Sequence, residues 1–236
     1  MSGTTTKILI LLNVLVVAAV VFYNPMPEHE KPWAFVKQVL LESEFDGPEG
    51  HIIRWVKSPT ISFVTDSPED VHIFLSVINQ INQALGQTNF SLKPVNSNGD
   101  IVFYQKTRDD VAPIFAKEDC GERMFFEDAL GVGCIISNSK FHALKALTWG
   151  ANVSNEAKRR SVMLEEIVQV LGPSNDSELF WDSLFYERKH GAADSKTLSP
   201  RDRKLLIFLY KHLKPGDDEA AVRRAFDAHW ETITVK

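Results

Sequence analysis

Apolar residues recur along the chain at two spacings, and their order predicts the fold class. Short apolar runs bounded by turn residues predict strands at 90–92, 101–104 and 132–137, and two short strands within 51–64 that are separated at Ser58-Pro59. Longer stretches with helical spacing predict helices at 33–41, 67–85, 107–116, 155–171, 199–213 and 219–230. Strands fall mostly in the first half of the chain and helices mostly in the second. This order favours an α+β domain with a mixed sheet and packed helices.

The N-terminus carries a continuous apolar run from Ile8 to Tyr23, interrupted only by Asn13. As a helix it would span roughly 24 Å, a little less than the ~30 Å hydrocarbon core of a bilayer. An uncleaved membrane anchor accounts for the whole run. A signal peptide cleaved near Val17–Ala19, which would release a secreted protein, is the alternative.

The charges around this run predict its orientation and the domain boundaries. Lys7 precedes it and Glu28 and Glu30 follow it, so we expect residues 1–7 in the cytoplasm and the rest outside. The expected organisation is therefore a cytoplasmic N-terminus, a transmembrane anchor or signal segment at 8–23, a linker with a short helix at 24–50, and a globular domain at 51–236. The protein would lie in the cell membrane as a single-pass protein, with its C-terminal domain on the periplasmic or extracellular side.

The net charge and the two cysteines argue against some classes of function. The net charge of −5 argues against nucleic-acid binding, which needs a basic surface. The two cysteines, Cys120 and Cys134, enclose 13 residues, and in an oxidising compartment they predict one disulfide. The alternative is two buried thiols. No CxxC motif supports redox or zinc-ribbon chemistry.

The segment 163–176 contains the candidate chemistry. Its apolar residues cover one broad arc of a helix, while Glu165, Glu166 and Gln169 lie on the opposite arc. Gly172 stands where such a helix would end. Spacing alone favours an amphipathic helix with one wet face.

The same segment resembles, position for position, the metzincin metalloprotease pattern HExxHxxGxxH. In that pattern two histidines bind zinc, a glutamate is the general base, and the glycine turns the chain toward a third ligand. Glu166 matches the base and Gly172 matches the turn. Residues of other types occupy the three ligand positions: Glu165, Gln169 and Asn175, with Asp176 one place later.

The form EExxQxLGxxND is still more similar to an uncharacterised bacterial family classed as a domain of unknown function. The segments Asp182–Phe185, Leu198–Asp202 and Leu213–Gly216 also resemble that family. The resemblance implies a zincin-like, metzincin-type domain in which a later helix packs behind the helix of the motif.

The ligand positions decide what the resemblance implies for metals. Zinc sites use thiolate, imidazole or carboxylate, and the amides of Gln169 and Asn175 are poor substitutes. We therefore expect no zinc. A calcium site built from Glu165, Glu166 and Asp176 stays open, because calcium accepts carboxylates. The histidines are dispersed along the chain, and the sequence does not decide whether His142, His190 and His212 come together in space.

These observations give two functional expectations. The first is an envelope protein with an inactive, pseudo-metalloprotease domain that acts by binding a protein partner or as structure. The second is a hydrolase or peptidase with a non-standard metal site, in which Glu166 activates water. The motif has lost its ligands, so the first is favoured over an enzyme.

Overall fold

The computed structural model describes residues 26–42, 50–118, 120, 129–188, 191–192 and 197–235. Residues Trp33–Lys236 form one compact unit. It is a mixed α+β structure, which confirms the predicted fold class at that level. No helix within the described ranges is long and apolar enough to cross a membrane, and the run 8–23 lies outside them.

In the described part of the chain, five strands form the main sheet, in the order β2-β1-β3-β5-β4. Four are mutually parallel, and β4 pairs antiparallel with β5 at one end. A separate two-stranded ladder joins β6 and β7. The strands are β1 Thr60–Thr65, β2 Lys93–Val95, β3 Ile101–Lys106, β4 Gly131–Ser137, β5 Ala143–Ala151, β6 Glu187–Arg188 and β7 Gly191–Ala192.

Six α-helices accompany the sheet within the described residues, and most begin at a side-chain cap. The side chains of Thr107, Asn155, Ser199 and Asp218 each accept a hydrogen bond from a backbone N–H in the first turn. The helices are α1 Lys31–Leu41, α2 Asp70–Ala84, α3 Arg108–Lys117, α4 Glu156–Gln169, α5 Pro200–His212 and α6 Glu219–His229. Short 3₁₀ turns follow α2 at Leu85–Gln87 and α6 at Trp230–Thr232.

The two faces of the sheet bury different clusters. Along β3, Ile101 and Phe103 point into the main core, which also contains the apolar faces of α2, α4 and α5. The intervening residues Val102 and Tyr104 pack with a smaller cluster around Val111 and Phe115 of α3. Alternation of side chains along each strand produces this division.

Helix α1 belongs to the main core. Phe35, Val36 and Val39 are fully buried in the same cluster as α4 and α5. It lies within the segment 24–50, where the sequence predicts a linker and a short helix. These three apolar residues are one and three positions apart in sequence, so they lie on the same face of the helix, which is the buried face.

Two local predictions differ from the structure. The helix predicted at 67–85 begins later, as α2 at Asp70, and its apolar residues Val71 and Leu75 are exposed. The apolar run 51–64 contains one strand, β1, and its first half makes only isolated bridges at His51 and Arg54. Tertiary contacts, which periodicity does not report, decide both points.

Candidate functional site

Helix α4 presents the motif residues, and neighbouring elements hold its C-terminal end. The indole Nε1 of Trp55 donates to the Val170 carbonyl at 2.9 Å, and the hydroxyl of Tyr210 donates to the Leu171 carbonyl at 2.6 Å. Burial raises the pKa of Tyr210, so its hydroxyl keeps the proton that it donates. Two carbonyls left over at the helix end are thus satisfied by side chains from other segments.

Gly172 turns the chain directly after α4. Its φ of +134° lies where side chains are strained, and a Cβ there would be 2.8 Å from the Ile53 carbonyl and 3.0 Å from Leu209 Cδ2. Only glycine fits this turn. The position that the resemblance assigned to a turn is a turn in the structure.

Glu166 lies against the antiparallel end strand β4. It is 7% exposed, and a Cβ built on Gly131 would be 2.0 Å from its Oε1. A Cβ on Gly133 would be 2.9 Å from Val170 Cγ1 and 3.6 Å from Glu166 Oε2. The glycines of the Gly131-Val132-Gly133 sequence therefore make room for α4. Sequence reasoning missed this pairing, and alternate glycines in a strand were its available signal.

Gln169 and Asp176 meet across the turn. The Gln169 amide donates from Nε2 to Asp176 Oδ1 at 3.3 Å. Glu165, one helical turn before Gln169, is half-buried on the same face. The structure thus brings two of the ligand-equivalent residues together, and they bond to each other.

Asn175, at the third ligand position, bonds to α1 instead. Its Nδ2 donates to the Gln38 carbonyl at 3.2 Å. The adjacent Ser174 N–H donates to the Val39 carbonyl, and the Ser177 hydroxyl donates to Gln38 Oε1 at 2.7 Å. The segment after Gly172 therefore holds α1 in place.

Within the described residues, no group of three His, Cys, Asp or Glu side chains is arranged to hold a metal ion. His142 directly precedes β5, and its backbone N–H donates to Asn138 Oδ1. His212 ends α5 and stacks on His229 of α6 at 4.2 Å between ring centroids. Burial, with the neighbouring His229 and Lys211, lowers the pKa of His212. His190 lies outside the described residues.

A buried carboxylate that sequence reasoning did not single out lies in the first turn of α5. Asp202 of α5 is fully buried and accepts hydrogen bonds from the Ser183 hydroxyl at 2.6 Å and from the backbone N–H groups of Leu184 and Ser199. Burial raises its pKa, although these hydrogen bonds act in the opposite direction. The capping-box spacing of Ser199 and Asp202 was the available signal.

Cys120 and Cys134 form a disulfide, the pairing that the sequence predicts. It connects the segment after α3 to β4, with the two Cα atoms 6.0 Å apart. The bridge therefore attaches to the strand that lies over Glu166.

The family model described as "Protein of unknown function (DUF2927)" matches residues 34–228, most of the chain. The chain belongs to this family. The prediction of an uncharacterised domain family is confirmed. The matched range of DUF2927 begins within α1 and ends within α6, so it includes the motif, the end strand β4 and Asp202. No match was found among curated proteins.

Solved structures give a remote likeness for this DUF2927 chain. Two structures of myroilysin match at 9% sequence identity and a TM-score of 0.41 each. One match covers 70% of this chain and 100% of the other, and the second covers 80% and 97%.

Proposed function

We propose that this protein is a membrane-tethered envelope protein whose zincin-like domain is non-catalytic and acts by binding another envelope protein. One observation supports this above the others: the ligand-equivalent side chains are used inside the fold. Gln169 bonds to Asp176, and Asn175 bonds to the backbone of α1. A catalytic metal needs about three ligands converging on one open position.

The end strand β4 is the binding surface that this proposal favours. Within the described residues, no strand pairs with its outer side. The Ala151 N–H donates to the Leu130 carbonyl at 2.7 Å. Backbone groups alternate along a strand, so Val132 and Cys134 also face β5 while Gly131, Gly133 and Ile135 face outward. An extended segment of a partner would add to this edge.

Hydrogen exchange on the full chain tests the binding mode. A partner isolated from envelope extract should slow exchange at the outward amides of Gly131, Gly133 and Ile135. The amides of Val132 and Cys134, already bonded to β5, serve as internal controls and should change little. Unchanged exchange at all five amides in the bound complex would contradict binding at this edge.

Metal content and hydrolysis decide between the proposal and the hydrolase alternative. The purified full chain should contain far less than one zinc per molecule by elemental analysis. Its hydrolysis of a mixed peptide library should equal that of Glu166→Gln, the matched control that keeps the side-chain volume. Stoichiometric metal together with hydrolysis lost in Glu166→Gln would establish the alternative, with Glu166 as general base.

A further inference from the structure

The C-terminal ends of α5 and α6 meet through two histidine rings. His212, the last residue of α5, stacks on His229, the last residue of α6, with 4.2 Å between the ring centroids and 19° between the ring planes. His212 is half-buried and His229 is exposed. Imidazole is the side chain whose ordinary pKa lies just below neutral pH. The charge at this contact therefore changes under mildly acidic conditions.

The histidine stack lies at the end of a row of aromatic rings that joins α6 to α5. The ring of Phe208 lies 6.2 Å from that of His212, 6.2 Å from that of Phe226 and 5.6 Å from that of Trp230, measured between centroids. Val222 is the one buried residue among the eleven of α6, all of which the structure describes. A helix that buries so little depends on such ring contacts to stay packed.

The charged neighbours that act on His212 are cationic groups. Its pKa is lowered by burial first, and then by His229 of α6 and Lys211 of α5. Each histidine lies in the last turn of its helix, where the helix dipole favours a positive charge. The pair can therefore accept a first proton, whereas a second proton would place two like charges face to face.

Carboxylates close to His229 in sequence already have cationic partners. Asp227 Oδ1 lies 2.9 Å from Arg223 Nε within α6, and Glu231 Oε2 lies 3.8 Å from Lys204 Nζ of α5. These pairs leave the repulsion within a doubly protonated histidine stack without a dedicated counter-charge from either carboxylate. Repulsion between two charges at this spacing is large enough to oppose the packing of a surface helix.

We propose that the His212–His229 stack is an acid-sensitive latch, which holds the C-terminal end of α6 on α5 at neutral pH and releases it when both rings are protonated. The folded state binds a proton at His212 less tightly than the unfolded chain does. The stability that the latch provides is therefore complete above the unfolded histidine value of about 6.5 and is lost as the pH falls below it. Lys37 Nζ of α1, 2.9 Å from Glu219 Oε1, would still hold the other end of α6. Release would expose the ring of Phe208.

Hydrogen exchange of the full chain at about pH 7.5 and about pH 5, on either side of the ordinary histidine value, tests the latch. Protection factors correct for the intrinsic pH dependence of exchange. In wild type, protection in α6 should fall at least about fivefold relative to protection in α2, the size that repulsion of two charges at this spacing gives. In His229→Gln and in His212→Gln, α6 should keep its protection. His72→Gln, which replaces an exposed histidine of α2, is the matched control and should behave as wild type does.

Each protein is compared with itself at two pH values, so a constant loss of stability from a substitution does not affect the result. The NMR titration of the His212 ring is a second readout. It should occur at lower pH in wild type than in His229→Gln, where the neighbouring charge is absent. A fall in α6 protection that is confined to wild type and His72→Gln would establish the latch. An equal fall in wild type and both latch variants, or the same His212 titration with and without His229, would overturn it.

Discussion

At the scale of single residues, Gly131 and Glu166 form a matched pair. The Glu166 side chain occupies the space where a side chain at position 131 would lie. A double-mutant cycle measures the coupling energy between them, because a substitution at either position changes the contact between the two residues.

We expect Gly131→Ala to lower the free energy of unfolding by about 1–3 kcal/mol, since the added methyl group overlaps Glu166. Glu166→Ala alone should also cost about 1–3 kcal/mol, because it removes a buried side chain that packs against β4. The double variant should be more stable than the sum of the two predicts. Denaturant midpoints provide the measurement.

The control for this cycle is Gly86→Ala. A Cβ at Gly86 meets nothing within 4 Å, so the change should be close to neutral. Additive effects in the double variant would contradict the coupling between Gly131 and Glu166. Midpoints for Glu166→Ala that coincide with wild type would show that its packing against β4 does not stabilise the fold.

Asp202 gives a second prediction at this scale. Asp202→Ala removes the acceptor for two backbone N–H groups and one hydroxyl, and should destabilise the domain by about 3 kcal/mol. Asp182→Ala is the matched control, since it removes a half-exposed carboxylate that pairs with Arg201 and should cost about 0–1 kcal/mol. Similar losses in both variants would contradict a special role for Asp202.

The pH dependence of Asp202 follows from the direction of its pKa. Burial raises the native pKa above the unfolded value, so the folded state binds the proton more tightly. Stability relative to Asp202→Asn should therefore rise as pH falls through the native pKa, and level off below the unfolded value of about 3.9. A difference between the two proteins that stays constant from neutral pH to about pH 4 would contradict this sign.

At the scale of elements, β4 is held from both sides of the sheet. On one face its glycines admit Glu166 and Val170, and on the other Cys134 joins Cys120 after α3. Packing on one face and the disulfide on the other therefore hold β4 in place. A strand held in this way suits a binding edge, because its outward backbone groups keep their positions.

Replacing both cysteines by serine should destabilise the domain by up to about 3 kcal/mol, because the bridge restricts the unfolded chain over a loop of this length. The measurement is the denaturant midpoint of the oxidised wild type and of the double variant. Reduced wild type is the control and should match the variant. Two thiols titrating in unfolded, non-reduced protein would show that the bridge is absent from the exported chain.

At the scale of the whole molecule, the membrane tether is the prediction with the widest consequences. Membranes from cells producing the full chain should retain it after alkaline extraction, and its intact mass should include residues 1–23. The control carries Leu12→Arg and Val16→Arg, which place two charges in the apolar run and should release the chain. A mass that lacks the N-terminal run would instead establish the cleaved, secreted form.

The sequence by itself determined the features that depend on neighbouring residues. Apolar spacing and capping residues located α4 and α5, with Asn155 and Ser199 at their starts. Gly172 was identifiable because a helix end requires a backbone conformation that glycine adopts readily. The α+β class followed from the order of these elements.

Tertiary structure alone decided what the motif residues contact. Local spacing does not indicate that Asn175 bonds to α1, or which residue fills the space beside Gly131, because these partners are far apart in sequence. Asp202 is a similar case. The sequence indicates its capping box with Ser199, but it does not indicate the hydrogen bonds to Ser183 and Leu184. Side-chain chemistry fixes which bonds a residue can make, and the packing of distant segments fixes which of them it makes.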